Sequence, residues 1–336
     1  KKEKKMNQKQ IASLEKHIAS DYDNLAGMVI LQNGKTVYEH YFHACDAANR
    51  FHVYSVTKSI LSILIGIALD KGYIKNIDQK VLDFFPSYPV KKGEKVIQNI
   101  TIRNLLTMTA PYKYHFAPYA YIRYFMSNDL LTFTLNQLGG KQQTENFRYT
   151  PLIGPDILSG ILVQVTGQSV LDFAGENLFT PLGITVSESI CFHNAREQQS
   201  FNRSTTMSGW VTDASGINTG GWGLTLSPVD MARIGQLYLN KGMWNGKQLV
   251  SAKWIADTTQ VHSCWKKQGL LYGYLWWIID EKEHACAAMG DAGNVIYFNS
   301  ATGVVVSIAS LSARKCKDRI DFIRNYIEPA LSDPDF

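Results

Sequence analysis

At 336 residues the chain exceeds the usual length of one domain, and a hydrophobic content of 45% with 12% aromatics is enough to fill a large core. The net charge of +5 is concentrated at the start, where five lysines against the single Glu3 in the first ten residues leave +4. The rest is nearly balanced and carries no Lys/Arg stripe interleaved with aromatics, which argues against a nucleic-acid partner. No run approaches the ~18 apolar residues of a membrane span, and the start as given has no secretory signal pattern, so no membrane span is expected. Cys45, Cys191, Cys264, Cys286 and Cys316 are odd in number, scattered and without a C-x-x-C pair. They point to reduced thiols, neither a disulfide scaffold nor a zinc site, and favour a cytoplasmic location; a lysine-rich start would also follow removal of a signal or lipid anchor. The histidines are equally dispersed. His40 and His43, three apart on a predicted strand, would face opposite ways, so no metal is expected.

In chain order, Ile11, Leu14 and Ile18 recur at helical spacing and predict an amphipathic helix over about residues 8–20. Apolar runs at 28–31 and 36–38 flank Asn33-Gly34, the dipeptide of a tight hairpin. Residues 55–72 read as a helix apolar on every side and ended by Gly72, which must lie between other layers. From about 78 to 216 the pattern is helix and loop, punctuated by Pro86, Pro89, Pro111, Pro118, Pro151, Pro155 and Pro181. The last third turns to β-branched and aromatic runs at 272–279, 285–289, 295–298 and 304–311, with a turn at 300–303 and a closing helix over about 318–331. The expected fold is α/β of the α+β type: one antiparallel sheet built from the N- and C-terminal strands, flanked by helices, with an inserted, mostly helical lobe. It is read as a single domain over 1–336, with a sheet lobe of 8–77 plus 217–336, a helical lobe of 78–216 and a lysine-rich tail at 1–10. No internal repeat is visible.

The pattern Ser-x-x-Lys occurs four times, at Ser13-Lys16, Ser55-Lys58, Ser263-Lys266 and Ser312-Lys315. An activated serine needs a lysine whose charge is disfavoured, which requires a desolvated or positively polarised place. Three copies lie in polar surroundings and read as solvated surface. Ser55 instead opens the apolar helix, so that its side chain and that of Lys58 lie one turn apart at the helix's positive end. There the helix dipole and burial both disfavour the ammonium, and the Ser55 N–H is available to a developing oxyanion. The competing reading is a serine N-cap beside a lysine that snorkels to water.

The segment Phe51-His52-Val53-Tyr54-Ser55-Val56-Thr57-Lys58-Ser59 resembles the nucleophile segment of the serine β-lactamase and penicillin-binding-protein superfamily. Within it the chain is most similar to the class C β-lactamase-like esterases and amidases, including the 6-aminohexanoate-dimer hydrolases. The likeness continues through Gly72-Tyr73-Ile74 and Phe84-Phe85-Pro86, through Asn104-Leu105-Leu106-Thr107-Met108-Thr109, and through Gly220-Gly221-Trp222-Gly223-Leu224. It resumes in Asp230-Met231-Ala232-Arg233 and in Asn240-Lys241-Gly242-Met243-Trp244-Asn245-Gly246. The resemblance implies a serine hydrolase forming an acyl-enzyme on a small ester or amide, with Ser55 as nucleophile, Lys58 as base and no cofactor. Its second motif, Tyr-x-Asn, falls on Tyr149-Thr150-Pro151, which implies Tyr149 as proton relay; literal matches at Tyr22 and Tyr297 stand at the wrong places in the order. Its third, Lys-Thr-Gly or His-x-Gly, falls on Gly290-Asp291-Ala292-Gly293-Asn294. That implies a second oxyanion N–H at Asn294 beside that of Ser55, and substrate contacts from Asp291, Ala292 and Gly293. Pro151 and Asp291 depart from the motifs. A carboxylate at 291 would repel an anionic substrate, which favours a carboxylesterase or amidase for uncharged or cationic substrates over a β-lactamase or D-alanyl peptidase. Tyr112, Tyr114, Tyr119, Tyr121 and Tyr124 are candidates to wall an apolar acyl pocket, with Tyr112 taken as substrate-binding. A catalytically weak ligand-binding or sensor protein remains the alternative from another class. A Ser-His-Asp hydrolase is disfavoured by the absence of G-x-S-x-G, and P-loop or dinucleotide chemistry by the absence of their fingerprints.

Overall fold

The computed structural model describes residues 6–115, 117–141 and 146–332, so half of the lysine-rich tail lies outside the described residues. Helix α1 (Gln8–Asp21) opens with a capping box in which Asn7 and Gln10 bond each other's main chain through their side chains. Strands β1 (Leu25–Gln32) and β2 (Lys35–Tyr41) follow, joined at Asn33 and Gly34, whose φ of 50° and 76° are the left-handed pair that a two-residue hairpin turn demands. After β3 (Phe51–His52) comes helix α2 (Val56–Asp70), in which every residue from Val56 to Ala68 is buried. The elements that position the site are then α3 (Pro155–Thr166), β4 (Thr225–Leu226) and α4 (Pro228–Leu239). The C-terminal strands are β5 (Ser263–Trp265), β6 (Leu270–Tyr272), β7 (Trp277–Asp280), β8 (Ala285–Gly290), β9 (Asn294–Asn299) and β10 (Val304–Ser310).

These strands make one eight-stranded antiparallel sheet in the order β2-β1-β10-β9-β8-β7-β6-β5, so that the first and last thirds of the chain meet at β1 and β10. Alternate residues of the central strands feed two cores. Met28, Ile30, Tyr297, Val306 and Ile308 pack with Leu14 and Ile18 of α1 and with Phe322, Ile323 and Ile327 of the C-terminal helix. Val29, Ile296, Phe298 and Val305 face the other way, toward Ile60, Leu61 and Leu64 of α2 and Ile234 and Leu237 of α4. The result is a helix–sheet–helix sandwich, and it explains why β1 and β10 read as continuous apolar runs: both of their faces are covered. The helices of the middle of the chain, among them Ile102–Leu106, Ala117–Phe125, Leu130–Gln137 and α3, form the lobe against which the free side of α2 packs.

Two expectations are corrected. The apolar run at 272–279 is the hairpin of β6 and β7, not one strand, because the chain doubles back at Gly273 to Trp276: the Gly273 N–H donates to the Trp276 carbonyl at 2.8 Å and Leu275 takes a φ of 62°. His43 lies beyond β2, in a left-handed turn with Nε2 2.5 Å from the Asp23 carbonyl, while His40 sits 3.9 Å from Glu15. The five cysteines are unbonded to one another. Among the described residues no single helix is long and apolar enough to cross a membrane.

Gly66 lies mid-way along α2, where a Cβ would run into the Trp254 indole, itself fixed by a 3.1 Å bond from Nε1 to the Ser62 carbonyl. Gly66→Ala should therefore lower stability by about 1–3 kcal/mol through overpacking, although alanine is the better helix former by about 1 kcal/mol. Urea unfolding checks this, and a variant more stable than the parent would show that Trp254 yields freely.

Candidate active site

The site begins at a strained turn. The Val53 N–H donates to the Leu224 carbonyl at 3.0 Å, Tyr54 takes a left-handed φ of 47°, and Ser55 follows at the head of α2 with helical φ and ψ. A non-glycine residue in that region is held there only by its surroundings. Ser55 stands at the N-cap position of α2 but makes no side-chain capping bond, so its hydroxyl is not spent on the helix end as the competing reading would have it. Its hydroxyl turns to Lys58 instead, with Nζ 2.8 Å from Oγ.

Lys58 is 2% exposed and its amine has two further neighbours, the carbonyls of Pro151 and Gly221, each at 2.8 Å. Carbonyls can only accept. A neutral amine in this cage therefore gives its two N–H groups to Pro151 and Gly221 and turns its lone pair on the Ser55 hydroxyl, whereas an ammonium would give Ser55 its third proton. Burial pulls the amine down to about 7, against the opposing pull of the Asp291 and Asp156 carboxylates. The other three Ser-x-x-Lys copies have exposed lysines, as solvated surface requires.

Tyr149 lies on the far side of the amine, with Lys58 Nζ 5.4 Å from its ring centroid. Its ring packs against Trp265 of β5, at 6.1 Å and nearly parallel, and against Trp277 of β7, at 5.4 Å, the two indoles being 6.4 Å from each other. Burial pushes its hydroxyl up to about 12, and a hydrogen-bonding interaction with the Ser55 hydroxyl pulls the other way. At neutral pH it is thus a phenol that can pass a proton. Tyr22 and Tyr297 belong to the opposite core, stacked on Phe322 and bonded to Glu328 respectively, and neither joins the site.

The turn after β8 is arranged differently from the expectation. Asp291 is exposed and close enough to oppose the shift of Lys58 and to reinforce that of Tyr149, so it borders the cleft. Asn294 is fully buried, with its side chain donating to the Asp291 carbonyl and accepting from the Ser310 N–H, so its side chain does not face a substrate. Ala292 is buried and gives its carbonyl to Asn24 at 2.8 Å. Gly293 takes a φ of 87°, and a Cβ there would meet Arg319 Nε at 2.6 Å, which is reason enough for glycine at this position. The glycine beside Ser55 is Gly290, where a Cβ would collide with the Val53 carbonyl and stand 3.2 Å from the Ser55 nitrogen. Tyr112 is 4% exposed and packed beneath Gly154, where it supports the 148–154 segment and, against expectation, does not stand open to the cleft.

Sequence reasoning missed the residues that hold the cage through their main chain. Gly221 supplies a carbonyl to Lys58, and its neighbour Gly220 must lack a Cβ because the Pro155 carbonyl occupies that space. His52, fully enclosed, accepts the Gly223 N–H on Nε2 at 3.0 Å and so donates from Nδ1 to Asn202 Oδ1 at 2.9 Å. Burial pulls the imidazole down to about 3, which keeps it neutral and acceptor-competent. The only sequence signal was the glycine-rich run 220–223, seen as part of a resemblance and not as a carbonyl donor to the cage. Among the described residues no group of three or more His, Cys, Asp or Glu side chains could hold a metal ion.

A serine and a buried lysine at the head of a central helix, between an antiparallel sheet and a helical lobe, mark a β-lactamase-type hydrolase. The chain belongs to the Beta-lactamase family, whose model matches residues 14–321. Its fold is similar to that of a Bacillus anthracis protein assigned as a 6-aminohexanoate-dimer hydrolase, with a TM-score of 0.71 and 19% identity, covering 94% of this chain and 81% of that one. It is similar too to an octameric penicillin-binding protein homologue from Pyrococcus abyssi, with a TM-score of 0.72, 18% identity and coverage of 96% and 77%. A family VIII carboxylesterase matches with a TM-score of 0.68 at 15% identity over 97% and 99% of the two chains.

The cage predicts how Lys58 titrates. The ¹³Cε resonance of Lys58, assigned by its loss in Lys58→Arg, should move with a midpoint near pH 7. A midpoint near 10, the ordinary value for lysine, would contradict a dry cage.

Proposed function

We propose that the protein is a serine hydrolase that works through an acyl-enzyme on a small ester or amide, as a carboxylesterase or amidase and not as a β-lactamase. The observation that carries this reading is the Lys58 amine, held between two carbonyls with its remaining side 2.8 Å from Ser55 Oγ. Neutral Lys58 takes the hydroxyl proton as Oγ bonds to the substrate carbonyl carbon. The carbonyl oxygen becomes an oxyanion that accepts from the Ser55 N–H and from a main-chain N–H of the Gly290–Asp291 stretch, which passes beside it. As the tetrahedral adduct collapses, the bond to the leaving group breaks and Tyr149 relays the proton from Lys58 to it. Water then repeats the sequence on the acyl-serine and frees the acid, restoring Ser55.

The substrate class follows from charge. Asp291 stands exposed beside Lys58 and Tyr149, so an anionic group next to the scissile bond would be repelled and an uncharged or cationic one accepted. That a 6-aminohexanoate-dimer hydrolase and a carboxylesterase share the fold supports the same choice. The sensor alternative rested on Pro151 and Asp291 at altered motif positions. Against it stands the carbonyl of Pro151, which accepts a hydrogen bond from Lys58 at 2.8 Å, so the altered residue still contributes to the cage.

Intact-mass analysis after treatment with a fluorophosphonate tests the reading: one adduct on the parent and none on Ser55→Ala or Lys58→Ala is expected, while labelling of Ser55→Ala would overturn it. Because Lys58 accepts a proton only when neutral, the labelling rate should rise tenfold per pH unit below 7 and level off above it. A rate independent of pH between 5 and 8 would remove Lys58 from the role of base. Tyr149→Phe should lower kcat on a turned-over ester by about 10²-fold or more with a small change in KM.

A further inference from the structure

Behind the cage lies a second buried ionisable group that the mechanism above does not use. Asp156 is 1% exposed, one residue inside the head of α3. Its Oδ1 accepts the Gly220 N–H at 3.0 Å and its Oδ2 the Tyr124 hydroxyl at 2.9 Å; that hydroxyl in turn accepts from Trp222 Nε1 at 3.0 Å. The three partners lie on the Ala117–Phe125 helix and on both sides of Gly221, whose carbonyl receives Lys58. Gly220 is pressed onto the Pro155 carbonyl so closely that no Cβ fits. Asp156 thus holds by hydrogen bonds the stretch of chain that forms one wall of the cage.

We infer that Asp156 is a positioning residue of the proposed reaction: it clamps the Gly220–Gly221 main chain against α3 and so places a buried carboxylate one residue behind the carbonyl that receives Lys58. This rests on the acyl-enzyme reading. The charged and titratable groups that face the pair are few. Lys58 meets Asp156, Asp291 from the turn after β8, and Tyr149. Asp156 meets Lys58, Tyr124, and Asp213, whose own carboxylate is occupied by the Leu130, Ser215 and Ile217 N–H groups. Burial pushes the Asp156 carboxyl up to about 7, opposed by its bonds to Gly220 and Tyr124, so it changes charge over the same range as Lys58. A carboxylate that favours the ammonium raises the pH needed to free the amine. By stabilising the ammonium it also makes the neutral amine a stronger base toward the serine proton.

The test follows the pH dependence of fluorophosphonate labelling in the parent, Asp156→Asn and Tyr124→Phe, each first shown to be folded by thermal melting. Asp156→Asn keeps an acceptor for Gly220 but removes the charge, so the acidic limb should move down by about half a pH unit or more while the plateau changes less than about threefold. Tyr124→Phe takes one bond from the carboxylate, lowers the charged fraction, and should move the limb the same way by less. A merely structural aspartate would lower the plateau and leave the limb in place, and that result in both variants would overturn the inference. A limb displaced upward in Asp156→Asn would overturn it as well. If Asp156→Asn fails to fold, Tyr124→Phe alone decides by the same criterion. A parent that does not label overturns the acyl-enzyme reading and this role with it, whereas a labelling parent with unmoved limbs overturns this role alone.

Discussion

The structure around Ser55 depends on keeping one amine out of water. A lysine buried in apolar surroundings loses the hydration that makes its charge favourable, and the protein replaces that water with two carbonyls and a hydroxyl and no contacting carboxylate. With acceptors on two sides, the third side of the neutral amine is a lone pair, and Ser55 is what it meets. The same burial that stabilises the sheet sandwich therefore favours the neutral amine, the form that the proposed base requires. α2 must be apolar all round to sit between sheet and lobe, and its first turn inherits that dryness.

The cage is assembled from parts distant in sequence, so the fold is needed to close it. α2 brings Ser55 and Lys58, the segment ahead of α3 brings Tyr149 and the Pro151 carbonyl, and the glycine run before β4 brings Gly221. The end of β8 brings Gly290 to the Ser55 nitrogen. Two buried polar side chains hold these parts in register without touching the serine. His52 fixes Gly223 from the sheet side, and Asp156 fixes Gly220 from the lobe side. Each needs every polar atom matched, because an unmatched one in such a place would be strongly destabilising. This is the physical reason that positions 220 and 221 are glycine: the main chain itself is the ligand of the cage, and a Cβ would run into the Pro155 carbonyl at Gly220 and crowd the Leu152 carbonyl and Lys58 at Gly221.

What the sequence made legible was what is local. Ser55 and Lys58 are one helical turn apart, and the apolar run that follows announces their burial, so their meeting could be read from spacing and composition alone. The Asn33-Gly34 hairpin and the antiparallel sheet from the two ends of the chain were legible for the same reason. Tyr149 was found by its order relative to α3, and the structure does bring it to the serine. The turn 290–294 was not legible in detail. Its short, left-handed bends decide which residue looks into the cleft and which looks back at Asn24 and Arg319, and no composition rule distinguishes Gly290 from Gly293. Nor does sequence report a main-chain carbonyl: Pro151 looked only like the loss of an asparagine, while its backbone accepts a bond from Lys58. Asp156 appeared only as part of a helix, because its partners Tyr124, Gly220 and Trp222 come from elsewhere in the chain.

The central claim is the protonation of one atom, and neutron diffraction from perdeuterated crystals at pD 8 observes it directly. The account predicts two deuterons on Lys58 Nζ, directed at the Pro151 and Gly221 carbonyls, with the Ser55 deuteron on Oγ and pointing at nitrogen. Three deuterons on Nζ, one of them directed at Ser55 Oγ, would contradict it.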